Sequence, residues 1–349
     1  MRNLRSALGY KPREGCLVIL CVILLSGHAG SADKNQHEQE ALQFLNRVRE
    51  ATNIAAPNSP PFRLRAHIVA APMEQSNPQV DGTYALTWAS PDRWREEITL
   101  PAYHRVRVAS QGTLWTASGL PFEPVRIYEL SQLMDLRSQW ILRSGESVNL
   151  RKPKSHNGVG TQCADIEAEL EPGRQVCADT SSLLPSRMEM IVPYNPLRTS
   201  FEYTEYQPSA DKQFPRVMRA FEGKSLVLEA RVDELVANMN LAGSVFVAPA
   251  QSVSADWCAD PEPAKAIEKP APRYPESAKA NRQQGVVSVY GVVGADGTLH
   301  DLTVVRSAGR DFDATTLAAV ARWKYRPAMC GGKPTPFEKL VDVTFTLQQ

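Results

Sequence analysis

Apolar and polar positions recur with two different periods along this chain, and the change of period marks its elements. Residues 33 to 52 carry the helical period. Ala41, Leu45 and Val48, flanked by Leu42 and Phe44, form an apolar stripe, while Glu38, Glu40, Arg47, Arg49 and Glu50 face away. Period two then sets in at Phe62-Arg63-Leu64-Arg65-Ala66-His67-Ile68-Val69, at Tyr84-Ala85-Leu86-Thr87-Trp88 and at Tyr103-His104-Arg105-Val106-Arg107-Val108. Asp81-Gly82, Ser90-Pro91-Asp92 and Gln111-Gly112 separate these runs as turns. This is the signature of an antiparallel meander with one face in a core.

Further strands are predicted over 187 to 192, 200 to 206, 216 to 221 and 226 to 232. Between the two groups, residues 122 to 148 read as helical, with Leu130, Leu133, Met134 and Leu136 as core positions. The expected fold class is α+β. A curved antiparallel sheet of eight or more strands, a half-barrel, would carry one or two helices on its concave face.

The pattern changes after residue 248. Pro249, Pro261, Pro263, Pro270 and Pro272 lie among Ala, Ser, Lys and Glu, so 249 to 269 reads as a semi-extended linker. A compact module over 270 to 349 follows. Pro275 suits the first turn of a helix running to about Gln284, and Gly285 ends it. Residues 285 to 293 alternate but are apolar on both faces. Asp296-Gly297 is a two-residue hairpin signal, with Leu299, Leu302, Val304 and Val305 on the return strand. Asp311 or Asp313 would cap a second helix whose Leu317, Val320 and Ala321 face the sheet. Trp323 and Tyr325 pack where that helix gives way to Pro327, and a final strand runs from Lys339 to Leu347. The sum is two helices on three antiparallel strands.

Composition adds less. The chain has 349 residues, enough for two domains. Its net charge of +1 gives no field strong enough to argue for nucleic acid or a membrane surface as partner, and no nucleic acid is expected. The N-terminus is more telling. Arg2, Arg5, Lys11 and Arg13 precede an apolar run over 16 to 25, then Ala29-Gly30-Ser31-Ala32, so 1 to 32 reads as a cleaved secretory signal peptide. Neither Cys16 nor Cys21 sits in a lipidation motif. The mature part, 33 to 248 and onward, then keeps four cysteines: Cys163, Cys177, Cys258 and Cys330. An even number in an exported chain points to disulfides. Of the three connectivities we expect the sequential one, Cys163 with Cys177 and Cys258 with Cys330. The loops closed would contribute roughly 3 and about 4 kcal/mol in the chain-entropy model. No Cys-x2-Cys pair and no histidine at ligand spacing supports a metal.

No nucleophile elbow, His-Glu-x-x-His, phosphate-binding loop or dinucleotide fingerprint occurs. Gly158-Val159-Gly160 reads as a loop, and His67 and His104 as structural strand residues. The expectation is a non-enzymatic protein with no cofactor.

Two family resemblances give these elements a meaning. Arg273-Tyr274-Pro275-Glu276-Ser277-Ala278, Gly285 to Tyr290, Asp296-Gly297-Thr298-Leu299, Val304-Val305-Arg306-Ser307, Trp323-Lys324-Tyr325-Arg326-Pro327-Ala328 and Leu340 to Phe345 closely resemble the TonB C-terminal domain in order and spacing. That resemblance implies a module facing a Gram-negative periplasm. It would grip an extended segment of an outer-membrane or periplasmic partner protein by adding it to its sheet edge, with backbone hydrogen bonds giving affinity and alternate side chains giving selectivity. The partner-binding residues so implied are Tyr274, Pro275, Lys339, Leu340, Val341, Asp342, Val343, Thr344, Phe345 and Thr346. An energy-transducing member needs an uncleaved N-terminal helix with a particular Ser and His, and Ser26 and His28 do not reproduce that spacing. Membrane anchoring and transduction therefore stand as the alternative to a soluble periplasmic role. A Cys258–Cys330 bond would restrict or gate the edge.

The N-terminal region resembles the LolA-type half-barrel of periplasmic lipoprotein carriers. Gly82 to Trp88, Ser90-Pro91-Asp92-Arg93-Trp94-Arg95 and Gln111-Gly112-Thr113-Leu114-Trp115 carry that likeness, with Gln111 where the family has Asp. It implies an apolar, lipid-accepting concavity and a carrier role. Read without the family, Trp88, Trp94, Trp115 and Trp140 are core aromatics with a polar handle.

Overall fold

The computed structural model describes residues 25–71, 79–156, 159–192 and 198–347. The basic and most of the apolar part of the expected signal peptide lie outside them. Helix α1 spans Leu25–Thr52 and so starts ahead of residue 33. Its stripe of Ala41, Phe44, Leu45 and Val48 is buried.

Strands β1 to β5 are Phe62–Ala70, Val80–Ser90, Arg93–Leu100, Tyr103–Ser110 and Thr113–Ser118. Helices α2 (Val125–Met134) and α3 (Leu136–Gln139) come next. Strands β6 to β13 follow at Ser147–Leu150, Lys154–His156, Val159–Glu167, Gly173–Asp179, Pro185–Ile191, Thr199–Ser209, Lys212–Glu222 and Ser225–Ala237. With β14 (Val253–Asp256) they make one antiparallel sheet in the order β14-β5-β4-β3-β2-β1-β13-β12-β11-β10-β9-β8-β6, with β7 paired to β8. Helix α1 touches both β12 and β6. Those strands stand five places apart in that order, roughly 24 Å on a flat sheet, whereas a helix is only about 10–12 Å wide. The sheet therefore curls around α1 to α3, and one core of residues from both the sheet and the helices fills the concavity.

The C-terminal elements are β15 (Lys265–Glu268), α4 (Glu276–Ala280), β16 (Gly285–Val293), β17 (Leu299–Arg306), α5 (Arg310–Val320), β18 (Lys324–Arg326), β19 (Ala328–Cys330), β20 (Lys333–Thr335) and β21 (Phe337–Phe345). Strand β16 is central, between β17 and β21, while β15 pairs with β18 and β19 with β20. A separate core forms around Val287, Val289, Phe312, Trp323, Val341 and Phe345.

Several local expectations change. Helix over 122 to 148 stops at Met134, because Asp135 leaves helical geometry and its side chain accepts from Ser138 N at 3.2 Å, starting the short α3. Residues 147–150 are strand. The 93–100 strand was absent from the expected set because Glu96 occupies an inward position and spoils the alternation. It is buried there because Arg105 and Arg107 both donate to it. Val159 and Gly160 open β8 instead of a loop; Gly158 lies outside the described residues.

In the C-terminal module α4 ends at Ala280, and Arg282, not Gly285, takes the left-handed conformation after it at φ 52°. The β16–β17 connection has five residues, not two. Gly297 sits at φ 80° and the Asp296 carboxylate accepts from Thr298 N at 3.0 Å. Gly309 precedes α5, and Asp313 instead accepts from Ser307 Oγ at 2.6 Å and Ala308 N at 3.2 Å. The buried face of α5 is Phe312, Thr316, Ala319 and Val320, with Ala321 exposed. Phe312 claims that face because its ring packs edge-on against Tyr274 and tilted against Phe345.

The Pro-rich stretch is extended but docked. Strand β14 pairs with β5, and β15 with β18. Cys163 and Cys177 face each other across β8 and β9 and are joined. The second disulfide joins Cys258, two residues past β14, to Cys330 in the C-terminal module.

Candidate functional site

Among the described residues the last strand, β21, has one partner. Every residue of β21 from Phe337 to Phe345 pairs with β16, and among the described residues no strand pairs with its other edge. That leaves a row of backbone N–H and C=O groups without a sheet partner, the feature that makes an edge a template for another chain. Period two splits the side chains of β21. Val341, Val343 and Phe345 enter the C-terminal core, whereas Leu340, Asp342 and Thr344 lie opposite Tyr290, Ser288 and Val286 on the outer face. Ser288 Oγ donates to Asp342 Oδ1 at 2.5 Å. Thr346 follows the strand and is exposed.

Tyr274 and Pro275 lie just ahead of α4. Tyr274 packs edge-on against Phe312 and Phe345 at 5.7 and 5.6 Å, and its hydroxyl donates to Gln283 O at 2.5 Å. Pro275 is the residue before α4 and is buried. Tyr274 thus links the end of β21 to α5.

A cavity of about 360 Å3 separates the first half of β21 from the large sheet. Glu171, on the turn between β8 and β9, forms its far wall. Its carboxylate accepts from Lys339 Nζ at 3.0 Å, Lys269 Nζ at 3.4 Å and Ala266 N at 3.1 Å. Burial alone would raise the Glu171 pKa, but Lys339 and Lys269 outweigh it and hold the carboxyl below its ordinary value. The two ammonium groups also lie over rings, Lys269 over Trp323 at 4.9 Å and Lys339 over Tyr325 at 5.3 Å. At the other end of the cavity Arg306 of β17 donates to Glu222 of β12, which Arg126 of α2 also contacts. Glu129 completes that cluster, and burial raises it to about 7. Asp342 opens into the cavity, and the protein packed around it raises its pKa. None of the cluster members except Lys339 and Asp342 was legible as a site residue, because each sits in an ordinary local context.

A second cavity of about 370 Å3 lies where the mouth of the curved sheet meets the outer face of the C-terminal sheet. Tyr84, Trp88, Trp94, Trp257, Tyr290 and Leu340 line it. Of the four tryptophans weighed in the sequence, Trp88 and Trp140 are core residues, while Trp94 and Trp115 are half-buried. His67 and His104 are exposed and pair with Asp81 and Glu97. Among the described residues no group of His, Cys, Asp and Glu is arranged to hold a metal, and no helix is long and apolar enough to cross a membrane.

Residues 270–347 match the family model for the Gram-negative bacterial TonB protein C-terminal. The resemblance carried by the sequence motifs is thus shown for this module. A TonB protein of Pseudomonas aeruginosa is 34% identical over 70 residues, covering 20% of this chain and 20% of that relative. The chain therefore spans about a fifth of the length of the curated relative it matches. Among solved structures, the TonB C-terminal domain of Pseudomonas aeruginosa is 29% identical over 25% of this chain and 88% of its own, with a TM-score of 0.23. A LolA superfamily protein from Nitrosomonas europaea is 12% identical over 58% of this chain and 96% of its own, with a TM-score of 0.41.

Proposed function

We propose that this is a periplasm-facing, non-enzymatic envelope protein, serving outer-membrane transport, whose C-terminal module captures an extended segment of a partner protein. The captured segment adds to the open edge of β21. The observation that carries this reading is a nine-residue strand paired along its whole length on one side and, among the described residues, on one side only, within a module that matches a TonB C-terminal family model. A new strand would receive backbone hydrogen bonds from that edge, with selectivity from the side chains beside it, Lys339, Leu340, Asp342 and Thr344 among them.

The reading is tested by placing a photo-crosslinking residue at Glu338, Asp342 or Thr346 in turn, in native cells. The expected product joins each position to a successive part of one extended segment of a single envelope protein. Products scattered over a folded partner surface, or none from any β21 position while a control at exposed Arg322 behaves alike, would reject strand addition.

A second reading has its own observation. The aromatic cavity beneath Trp94 and Tyr290 is large enough for a small amphiphile, within the roughly 300–1,000 Å3 of small-molecule sites. Lipid carriage by the N-terminal domain predicts a lipid that co-purifies with the protein and is lost on Trp94→Ala; a lipid-free native preparation counts against it.

A further inference from the structure

The first cavity touches six consecutive residues of β21, Phe337 to Asp342. The cavity meets residues of both side-chain faces of the strand and no residue of β16, which places it along the free edge of β21. The other edge is filled by β16. The cavity therefore lies where an added strand would have to sit, about 4.8 Å from β21. Its far wall is the N-terminal domain. A six-residue segment of strand is roughly 20 Å long, whereas a 360 Å3 space is at the small end of the range for small-molecule sites.

Two sets of charge contacts hold that wall in place. Near one end Glu171 takes Lys339, Lys269 and the Ala266 N–H together, and Lys269 also donates to Leu170 O at 2.6 Å. Near the other, Arg306 meets Glu222. A covalent attachment adds to these contacts. Strand β14 is hydrogen-bonded to the large sheet, and Trp257 alone separates it from Cys258, whose sulfur is bonded to Cys330. The module thus has a covalent pivot of very few residues and, apart from it, an ionic clasp.

We infer that the N-terminal domain is the resting occupant of the approach to the β21 edge. A partner strand gains the edge only when the Glu171 clasp opens and the C-terminal module swings about Cys258. This rests on the reading that β21 is the capture edge, and it makes the N-terminal domain a competitor of the partner and not a spacer. Capture strength is then set by two terms, pairing along the edge and the release of Glu171 from Lys269 and Lys339.

The test uses the full chain with its disulfides oxidised, in wild-type, Glu171→Gln and Glu171→Lys forms. Small-angle X-ray scattering reports the opening. A compact chain of this length has a radius of gyration of roughly 20 Å, and Glu171→Lys should enlarge the wild-type value, with Glu171→Gln intermediate. Near-ultraviolet circular dichroism confirms that both variants keep their packed aromatics. The probe is a fluorescein-labelled peptide of alternating Thr and Val with a Lys at each end, and the open form should bind it at least tenfold more tightly. Equal scattering in all three forms, or tight binding by the closed wild type that Glu171→Lys does not improve, overturns the inference. An enlarged Glu171→Lys form that binds no peptide instead sinks the strand-capture reading and leaves the clasp standing.

Discussion

The Trp257 ring meets the Trp94 ring edge-on at 5.0 Å between centroids, and its indole N–H donates to Pro91 O at 2.9 Å. One side chain of the Pro-rich stretch is thus fastened to the β2–β3 turn of the large sheet. With β14 paired to β5 beside it, the stretch holds the C-terminal module close to the N-terminal domain instead of keeping the two apart.

Replacing Trp257 should loosen that attachment. Trp257→Ala removes an aromatic pair and a hydrogen bond from a half-buried position, at an expected cost of about 2 kcal/mol, below the 3–5 kcal/mol of a core tryptophan. Limited proteolysis should then cut within 250–262 under conditions that leave the wild type intact.

The two disulfides should differ in what they protect. Replacing Cys258 and Cys330 together by Ser opens a link of sequence separation 72, and the chain-entropy model puts the loss at about 4 kcal/mol. The Cys163–Cys177 link, of separation 14, should cost about 3 kcal/mol. Denaturant midpoints of the two double variants, measured separately, check the order.

Glu129 should give the protein a pH slope near neutrality. Burial, with Glu222 adding to it and Arg126 opposing it, raises Glu129 from 4.5 to about 7. Between those values the folded state keeps a proton that the unfolded chain has lost. Stability therefore falls as pH rises through the window, by at most about 3 kcal/mol, and levels off above it. Glu129→Gln should flatten the slope between pH 5 and 7 in a series of unfolding titrations.

Glu96 should act in the opposite sense and at lower pH. Burial would raise it, but Arg107 and Arg105 prevail and hold it at about 2. Its contribution is complete above the unfolded value of 4.5 and is lost as pH falls from there toward 2. Arg105 also donates to Glu123 at 2.5 Å, so Arg105→Met leaves Glu96 with Arg107 alone and buried Glu123 without a cation, and should cost about 3–5 kcal/mol. Thermal unfolding at pH 7 measures it.

What could be read from the sequence was what neighbours along the chain decide. The period-two runs became β1, β2, β4 and β10 to β13, because alternation and the Pro91-Asp92 and Gln111-Gly112 turns act over a few residues; Asp81-Gly82, expected as a turn, instead lies inside β2, paired with Val69 and Ile68 of β1. The TonB-type motifs were legible for the same reason, each being a short run of fixed order. Elements whose burial depends on a distant partner were not. Glu96 makes β3 look unlike a strand until Arg105 and Arg107 arrive from the next one. Nothing local to Glu171, Glu222 or Arg306 announces an ion pair, since their partners lie 168 and 84 residues away in the chain. Hydrophobic period selects which face of a strand is buried, so the sequence by itself determined that β21 would be a strand with Val341, Val343 and Phe345 inward. Which of its edges stays open, and what stands in front of that edge, is set by how two separate cores pack against each other, and only the tertiary structure decides that.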